Sequence, residues 1–137
     1  MPVEVHVVTP EREVWSGEAR LLVARGVDGE IGVMGGHAPL LVQLTIGPLH
    51  VRNDAGDVAA VVDGGFLHVS SNEGVTRADV LASDAELADE IDVERARRRA
   101  VELQERLQDR DTHLAEAEIS RIRAELRKAL ERVNLAG

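Results

Sequence analysis

Residues 29–41 read Gly-Glu-Ile-Gly-Val-Met-Gly-Gly-His-Ala-Pro-Leu-Leu. This stretch places four glycines, one histidine and one proline among apolar residues, a mixture that suits neither a helix interior nor a strand along its whole length. Glycine allows backbone angles and close approaches that a Cβ forbids, and Pro39 biases Ala38 away from the helical region. The stretch therefore predicts a bulged corner that joins a strand over residues 30–33 to one over residues 40–44.

Residues 1–90, on both sides of this corner, alternate apolar and polar side chains with a period of two. Val3, Val5 and Val7 fall on one face of a predicted strand, and Glu4 and His6 fall on the other. Turn residues recur about every ten positions, at 28–29, 53–57, 63–65 and 72–74. The strands predicted between them cover residues 47–52, 58–62, 66–70 and 75–81. Short strands at this spacing are typical of an antiparallel β-sandwich or flattened barrel.

The composition and the hydrophobic period both change near Glu90. Eleven of the 12 glycines and all 4 prolines precede residue 91. Apolar residues then recur at intervals of three and four, as on one face of a helix. One such seam is Val93, Ala96, Ala100, Leu103 and Leu107, and the other is Ala115, Ile119, Ile122, Leu126, Ala129 and Val133. We therefore predict an α+β chain with a β-sandwich domain at residues 1–90 and an antiparallel two-helix hairpin domain at residues 91–137.

The predicted hairpin has little apolar surface of its own. Asp92 is the predicted N-cap of the first helix, and Asp111 or Thr112 that of the second, with residues 108–111 as the connection. A connection this short predicts antiparallel helices. Because alanine-rich seams bury little area, their burial hardly exceeds the entropy cost of ordering the chain. The hairpin is therefore expected to dock on another surface and to be able to leave it.

The formal net charge of −9 is spread unevenly over the 137 residues. Residues 1–91 carry 15 acidic and 5 basic side chains, whereas residues 92–137 carry 10 and 11. An acidic front half repels phosphate backbones, so nucleic acid is not an expected partner. The absence of cysteine excludes disulfides and thiolate chemistry. Because the sequence has no long apolar run, we expect no secretory signal and no direct membrane insertion.

Motifs of catalytic and metal sites do not occur in the sequence. It has no His-x-His or His-Glu-x-x-His pair, no Gly-x-Ser-x-Gly elbow and no Gly-x-x-x-x-Gly-Lys loop. A small hydrolase that used His37 and Asp63 would lack a nucleophile at a recognisable spacing. We therefore expect no catalytic residue, no metal site and no obligatory cofactor.

Two segments resemble a known family. Residues 29–40 resemble the signature Gly-Glu-(Ile/Leu)-Gly-Ile-x-Pro-Gly-His-Ala-Pro-Leu of the epsilon subunit of F-type ATP synthases, the equivalent of the mitochondrial delta subunit. Residues 64–69, Gly-Gly-Phe-Leu-His-Val, are similar to the Gly-Gly-Phe-x-x-Val strand of the same family. Gly35 departs from the signature because the family usually carries proline there, and this departure predicts a looser turn.

The resemblance implies a non-catalytic rotor subunit in the central stalk of a proton-translocating ATP synthase. It implies a peripheral position on the cytoplasmic face of the cell membrane, between the gamma subunit and the c-ring. One face of the sandwich and the hairpin would pack on the gamma subunit, and the corner would contact polar loops of the c-ring. The residues implied for the c-ring contact are Glu30, Val33, Met34 and His37.

The resemblance also implies that the helices regulate ATP hydrolysis. In relatives the hairpin can extend into the catalytic alpha/beta hexamer and block hydrolysis, and basic side chains of the second helix then meet acidic segments. The matching residues here are Arg121, Arg123, Arg127, Lys128 and Arg132. The alternative is that each of them is an ordinary solvent-facing helix charge.

A further resemblance points to a small ligand. Residues 91–96, Ile-Asp-Val-Glu-Arg-Ala, are similar to the Ile/Leu-Asp-x-x-Arg-Ala motif by which some bacterial epsilon subunits bind ATP. The planar fork of arginine suits phosphate oxygens. The candidate residues for binding regulatory ATP are Ile91, Asp92, Arg95, Arg99, Lys128 and Arg132.

The match to the nucleotide-binding relatives is incomplete. Glu102 and Lys128 stand where those relatives have arginine, and we hypothesise that Arg99 partly substitutes for the missing arginine at position 102 from one turn earlier. The alternative is that the charges of the first helix form solvated pairs, each worth a few tenths of a kcal/mol.

A different class of function needs only the acidic sandwich and the hairpin. This alternative is a β-sandwich adaptor whose helical hairpin docks a partner, unrelated to a rotary motor. The match of residues 29–41 to the family signature separates the two interpretations in favour of the rotor subunit.

Overall fold

The structure, a computed structural model, describes residues 1–109 and 113–137. The strands are β1 (Val3–Val8), β2 (Glu13–Ala19), β3 (Leu21–Gly26), β4 (Gly29–Val33), β5 (Leu40–Arg52), β6 (Val58–Asn72), β7 (Val75–Leu81) and β8 (Ala85–Leu87). A short 3-10 helix (Ala88–Glu90) then leads to two helices, α1 (Val93–Gln108) and α2 (Glu116–Ala136). The predicted order of a β-sandwich followed by two helices is confirmed.

The strands form one continuous sheet in the order β2-β1-β7-β6-β5-β3-β4, and β8 pairs with β6. The first half of β6 pairs with β8 and its second half with β7, while β5 runs beside most of its length. These long strands therefore belong to both layers of the sandwich. The predicted antiparallel pairing has one exception, because β1 and β7 run parallel, with Val5 opposite Ala78.

The two long strands also correct the predicted strand boundaries. Residues 40–44 and 47–52 form one strand, β5, and residues 58–62 and 66–70 both lie in β6. The predicted turn at residues 63–65 is a bend inside β6, where Gly64 and Gly65 have φ of +67° and +110°. A Cβ on Gly65 would lie 2.1 Å from the carbonyl oxygen of Leu81. Glycine is required there because the neighbouring strand approaches so closely.

The core of the sandwich is built from the inward side of each strand. Val3, Val5 and Val7 of β1 are buried, as the alternation predicts. The cluster of buried apolar side chains extends from Val3 to Ala85 and includes no side chain of either helix. The sandwich therefore has its own hydrophobic interior.

The helices share a second, smaller buried seam. The buried positions on the two helices are Ala96, Ala100, Leu103, Ile122 and Ala129. α2 also contacts β5 and β6, so the hairpin is docked on the outside of the sandwich. Small residues dominate this seam, as the sequence predicts.

The helix starts agree with the predictions in part. The Asp92 carboxylate accepts a hydrogen bond from Arg95 N at 3.1 Å, so the predicted N-cap of α1 is confirmed. The predicted caps of the second helix, Asp111 and Thr112, lie outside the described residues. α2 begins at Glu116, and its N-cap residue Ala115 provides no side-chain cap. The second helix thus begins later than its predicted cap.

Candidate functional site

One hydrogen bond closes the corner between β4 and β5, and a second fastens the corner to the sandwich. His37 N donates to Met34 O at 3.1 Å, and Gly36 N donates to Thr76 Oγ1 at 2.7 Å. Gly36 has a φ of +87°, which suits the third residue of a type II turn, and Gly35 occupies the second position, where proline is common. Because Thr76 is buried in β7, the corner is anchored to the interior.

Gly35 has a packing role in addition to its place in the turn. A Cβ at this position would lie 2.2 Å from the carbonyl oxygen of Met1. Glycine instead of proline therefore leaves room for the first residue of the chain to pass over the corner.

The residues predicted to contact the c-ring divide into two groups. Glu30 is exposed, and Met34 is exposed over 58 % of its surface. His37 is partly buried, and its Nδ1 lies 2.7 Å from Ala38 O, a contact in which the ring nitrogen donates. Val33 is 0 % exposed and packs in the sandwich core, so its inclusion in a contact surface is wrong. Its role is to hold the end of β4 against the core.

A cleft of about 960 Å³ lies between the start of α1, the end of α2 and the sandwich, and we call it the hairpin cleft. It brings together five of the six residues predicted for ATP binding, namely Asp92, Arg95, Arg99, Lys128 and Arg132. Ile91 is not one of the residues that line it. The start of α1 lies beside the end of α2, as expected for antiparallel helices.

The walls of the hairpin cleft are balanced in charge. The acidic side chains are Glu86, Glu90, Asp92, Glu102 and Glu125, and the basic ones are Arg95, Arg98, Arg99, Lys128 and Arg132. Because the two sets are equal in number, the cleft presents no net positive field to a triphosphate.

Arg99 is already engaged by carboxylates in the cleft. It donates to Glu102 at 3.0 Å and to Glu125 at 2.9 Å. The hydrogen bond from Arg99 lowers the pKa of Glu125, and the same bond raises the pKa of Arg99 above its ordinary value. Arg99 therefore lies where the hypothesis requires it, but an anionic ligand would have to displace these carboxylates.

The five basic residues of the second helix separate into two groups. Arg121, Arg123 and Arg127 are exposed. Lys128 Nζ lies 2.6 Å from a carboxylate oxygen of Asp63, and Arg132 Nε donates to Glu86 at 2.9 Å. Three of the five side chains are therefore open to solvent, and two are paired with the sandwich.

An exposed apolar patch on the outer face of the sheet was not predicted. Leu41, Phe66 and Leu81 are 66 %, 48 % and 51 % exposed. Phe66 is opposite Leu81 across β6 and β7, and Leu41 lies one row away on β5. We call these three residues the outer patch. The alternation contained a signal for it, because Phe66 and Leu81 are out of phase with their buried neighbours Leu67 and Val80.

Three acidic residues of the cleft, Glu86, Glu90 and Glu125, were also missed. Glu86 lies in β8 and Glu90 in the short 3-10 helix, and neither element was predicted. Glu90 is held by Arg12, which donates to its carboxylate oxygens at 2.9 and 3.1 Å, and this bond lowers the pKa of Glu90. The alternation of Ala85, Glu86 and Leu87 was the only signal, and three residues are too few to identify a strand.

The geometry does not assemble a catalytic pair from His37 and Asp63. His37 precedes the first residue of β5, whereas Asp63 is opposite Ile46. Leu40 and Ile46 are six residues apart in one strand, or roughly 20 Å at about 3.3 Å per residue. Asp63 is also paired with Lys128. The hydrolase interpretation therefore has no site.

The described residues contain neither a candidate metal site nor a helix suited to cross a membrane. Within residues 1–109 and 113–137, no group of three or more His, Asp or Glu side chains is placed to hold a metal ion. In the same part of the chain, neither helix has the length and hydropathy needed to cross a bilayer.

Comparison with known proteins identifies relatives along most of the chain. The ATP synthase epsilon chain of Streptomyces coelicolor is 46 % identical over 127 residues, which cover 90 % of this chain and 97 % of the relative. The epsilon chain of Thermobifida fusca is 44 % identical over 129 residues, covering 91 % and 90 %. That of an Exiguobacterium species is 37 % identical over 134 residues, covering 97 % and 94 %.

Solved structures share the fold at lower identity. A chain of the Euglena gracilis mitochondrial ATP synthase (OSCP/F1/c-ring in rotational state 1) has a TM-score of 0.79 at 22 % identity, over 95 % of this chain and 78 % of that one. A chain of the Tetrahymena thermophila mitochondrial ATP synthase (central stalk/c-ring) has a TM-score of 0.57 at 17 % identity, over 97 % of both chains.

The family model of the β-sandwich domain of the ATP synthase delta/epsilon chain matches residues 2–88. This range contains all eight strands and ends within the 3-10 helix. The relatives extend the similarity through both helices. The chain therefore belongs to the ATP synthase delta/epsilon chain family.

Proposed function

We propose that this chain is a non-catalytic central-stalk subunit of a proton-translocating F-type ATP synthase, and that its helices regulate ATP hydrolysis. The family membership supports the first part. The proposed regulation by the helices rests on the observation that the sandwich core contains no helix side chain. Because the hairpin does not share that core, it can change position without unfolding the sandwich.

The two parts of the chain take different roles. Residues 1–90 form the rigid body that couples the c-ring and the gamma subunit to the catalytic hexamer, and residues 91–137 form the regulatory hairpin. The subunit is peripheral and sits on the cytoplasmic face of the cell membrane. An adaptor unrelated to a rotary motor loses its support, because the chain belongs to a family of ATP synthase subunits.

The corner is the proposed contact with the c-ring. Met34 and His37 provide an apolar and a hydrogen-bonding side chain in the corner, and Glu30 provides an anionic one near the start of β4. The corner is fastened through Gly36 to buried Thr76, so it can transmit force to the sandwich. Val33 supports the corner from inside and takes no part in the contact.

The outer patch is the proposed contact with the gamma subunit. Three large apolar side chains exposed in two neighbouring rows of one sheet face favour a protein partner over solvent. Burying them would remove apolar surface from water, which stabilises the complex.

The exposed arginines of α2 are the proposed contact with the alpha/beta hexamer. Arg121, Arg123 and Arg127 are free to meet acidic segments while the hairpin is docked, and Lys128 and Arg132 join them when it extends. The attraction between these cations and an acidic surface would hold the extended hairpin in the hexamer and block ATP hydrolysis.

The test removes residues 92–137 from the subunit in the complete ATP synthase. We expect the truncated chain to fold and assemble, and ATP hydrolysis by the complex to rise. As a matched control, the full chain with Arg121, Arg123 and Arg127 changed to alanine should give an intermediate rise. Unchanged hydrolysis after truncation would contradict the regulatory role, and loss of the chain from the complex would contradict the role of residues 1–90.

Regulatory ATP is a second candidate ligand, and the hairpin cleft is its proposed site. An ATP site there is favoured because the cleft brings Asp92, Arg95 and Arg99 together. The equal numbers of acidic and basic side chains in the cleft predict that ATP binds weakly. Isothermal titration of the isolated chain should give heat with ATP, and Arg95→Ala should remove it. Absence of heat at millimolar ATP would exclude the site.

A further inference from the structure

The surface of α2 that faces the sandwich carries three charged side chains within about one turn. Lys128 Nζ lies 2.6 Å from Asp63, Glu131 accepts from Arg25 Nη1 at 2.8 Å, and Arg132 Nε donates to Glu86 at 2.9 Å. The signs along the helix are therefore plus, minus, plus, and the sandwich presents minus, plus, minus. The three pairs come from three different strands of the sandwich.

These three pairs are more sheltered than the pairs inside the hairpin. The six side chains have exposures between 14 % and 37 %, whereas Arg99 and Glu102, a pair along α1, are 41 % and 61 % exposed. Partial removal from solvent reduces screening, so a sheltered pair contributes more than an exposed one. The three pairs are therefore the ones that can affect how α2 docks.

Apolar contact at the same interface involves few large, fully buried side chains of α2. Ala129 is the buried residue of this part of α2, and Leu130, its larger neighbour, is 39 % exposed. On the sandwich side, Val61 of β6 is 5 % exposed and lies outside the core cluster. Charge pairing therefore acts beside this apolar contact, and it is the part of the interface that depends on register.

We propose that the pairs Lys128–Asp63, Glu131–Arg25 and Arg132–Glu86 form an electrostatic latch that holds the hairpin on the sandwich in one register. This inference rests on the proposed function, because Lys128 and Arg132 are two of the cations assigned to the hexamer contact. While the latch is closed, sandwich carboxylates occupy both cations. An acidic partner can bind them only by competing with Asp63 and Glu86. The latch therefore adds to the free energy that such a partner must supply to release the hairpin from the sandwich.

The alternating signs also select the register. If α2 slid by four residues in one direction, Ala124 would face Asp63 and Arg127 would face Arg25, which leaves one favourable pair. A slide in the other direction would place Leu135 and Ala136 opposite Arg25 and Glu86, and again one pair would survive. Like charges and lost partners therefore disfavour the neighbouring registers.

The test uses hydrogen exchange of the isolated full-length chain at low ionic strength. Lys128→Glu should place two carboxylates together and increase the exchange rates of the last three turns of α2 by about tenfold or more. Asp63→Lys combined with Lys128→Glu reverses the pair and should restore most of the protection. Arg127→Glu makes the same change of charge at the adjacent, exposed position and should leave the rates near those of the unaltered chain.

Two further measurements keep the outcome interpretable. Asp63→Asn removes one charge without adding repulsion and should give a smaller increase in exchange, even if Lys128→Glu fails to fold. Raising the salt concentration from about 20 mM to about 1 M should also increase the exchange rates of α2 in the unaltered chain. The reason is that the Debye length falls to about 3 Å, which screens the three pairs.

The latch would be overturned if the exchange rates of α2 were unchanged in both Lys128→Glu and Asp63→Asn. It would also be overturned if the charge-reversed double variant exchanged as fast as Lys128→Glu alone. These results do not depend on the ATP synthase complex. A failed latch would leave the truncation result intact, and a truncation without effect on hydrolysis would leave the exchange result intact.

Discussion

At Gly65, strands β6 and β7 approach so closely that no side chain fits between them. The φ of Gly65 is +110°, and a Cβ would lie 2.1 Å from Leu81 O and 2.8 Å from Ala82 Cα. Both obstacles are backbone atoms of a paired strand and its end, so neither can rotate away. The long strand β6 can bend between the two layers only because this position has no side chain.

We expect Gly65→Ala to destabilise the chain by at least about 3 kcal/mol or to prevent folding, because it combines a positive φ with a backbone clash. Gly74→Ala is the matched control. Gly74 also has a positive φ, +79°, but nothing lies within 4 Å of a Cβ there, so its loss should be about 1 to 2 kcal/mol. Urea unfolding of both variants measures the difference, and equal losses would contradict the role of close packing at Gly65.

Val33 shows what the sequence could and could not predict about single residues. A family signature names consecutive positions, but alternate positions of a strand face opposite sides. Because Val33 shares a face with Ile31, the period of two already favoured burial, and this signal was the correct one. The clash at Gly65 could not be predicted, because Leu81 is 16 positions away and the approach exists only after both strands pair.

Among the elements, the turn between β6 and β7 follows local rules and could be predicted from the sequence. Asn72 is opposite Val75, so the loop consists of Glu73 and Gly74, with φ of +52° and +79°. Positive φ at both loop residues defines a type I′ turn, which fits the right-handed twist of the strands. Gly74 suits this geometry, but Glu73 is a side chain that rarely adopts it.

We therefore expect Glu73→Asn to stabilise the chain by about 0.5 to 1 kcal/mol, because asparagine tolerates the left-handed region. Ser71→Asn is the control at an exposed position inside the strand, where no gain is expected. The midpoint of urea unfolding reports both changes. A Glu73→Asn chain no more stable than the original would show that the turn geometry is not under strain.

Other elements depended on contacts that are remote in sequence. The parallel pairing of β1 with β7 joins segments about 70 residues apart, and no local pattern distinguishes it from an antiparallel pair. The two helices were predictable because their period of three and four extends over four or more turns. The hairpin cleft was predictable only in part, since Glu86 and Glu90 lie on short elements that lack a periodic signal.

At the scale of the whole molecule, the chain contains two hydrophobic interiors of unequal size. The larger one fills the sandwich, and the smaller one consists mainly of alanines between α1 and α2. Charged contacts connect them, because Lys128 and Arg132 of α2 pair with Asp63 and Glu86 of the sandwich. Two further pairs lie at the hairpin itself: Arg12 holds Glu90 directly before α1, and Arg99 of α1 holds Glu125 of α2. The two parts should therefore respond differently to conditions that change charge.

Acid is such a condition, and the direction of its effect follows from two carboxylates. Arg12 lowers the pKa of Glu90, and Arg99 lowers the pKa of Glu125, in each case chiefly through a side-chain hydrogen bond. A carboxylate whose pKa is lower in the folded state stabilises that state above its unfolded pKa, about 4.3 for glutamate, and loses this contribution as the pH falls through the folded value. The hairpin should therefore weaken below about pH 4.3, whereas the sandwich core contains no such pair.

We expect the thermal midpoint of the helical signal at 222 nm to fall between pH 5 and pH 3 by more than that of Trp15 fluorescence, which reports on β2. Glu125→Gln cannot lose a charge in this range, so its helical midpoint should be lower at pH 7 and should depend less on pH. If the helical and the tryptophan midpoints fall together in the unaltered chain, or if Glu125→Gln keeps the full pH dependence, the two interiors do not respond separately. In that case Glu125 is not a group through which acid acts on the hairpin.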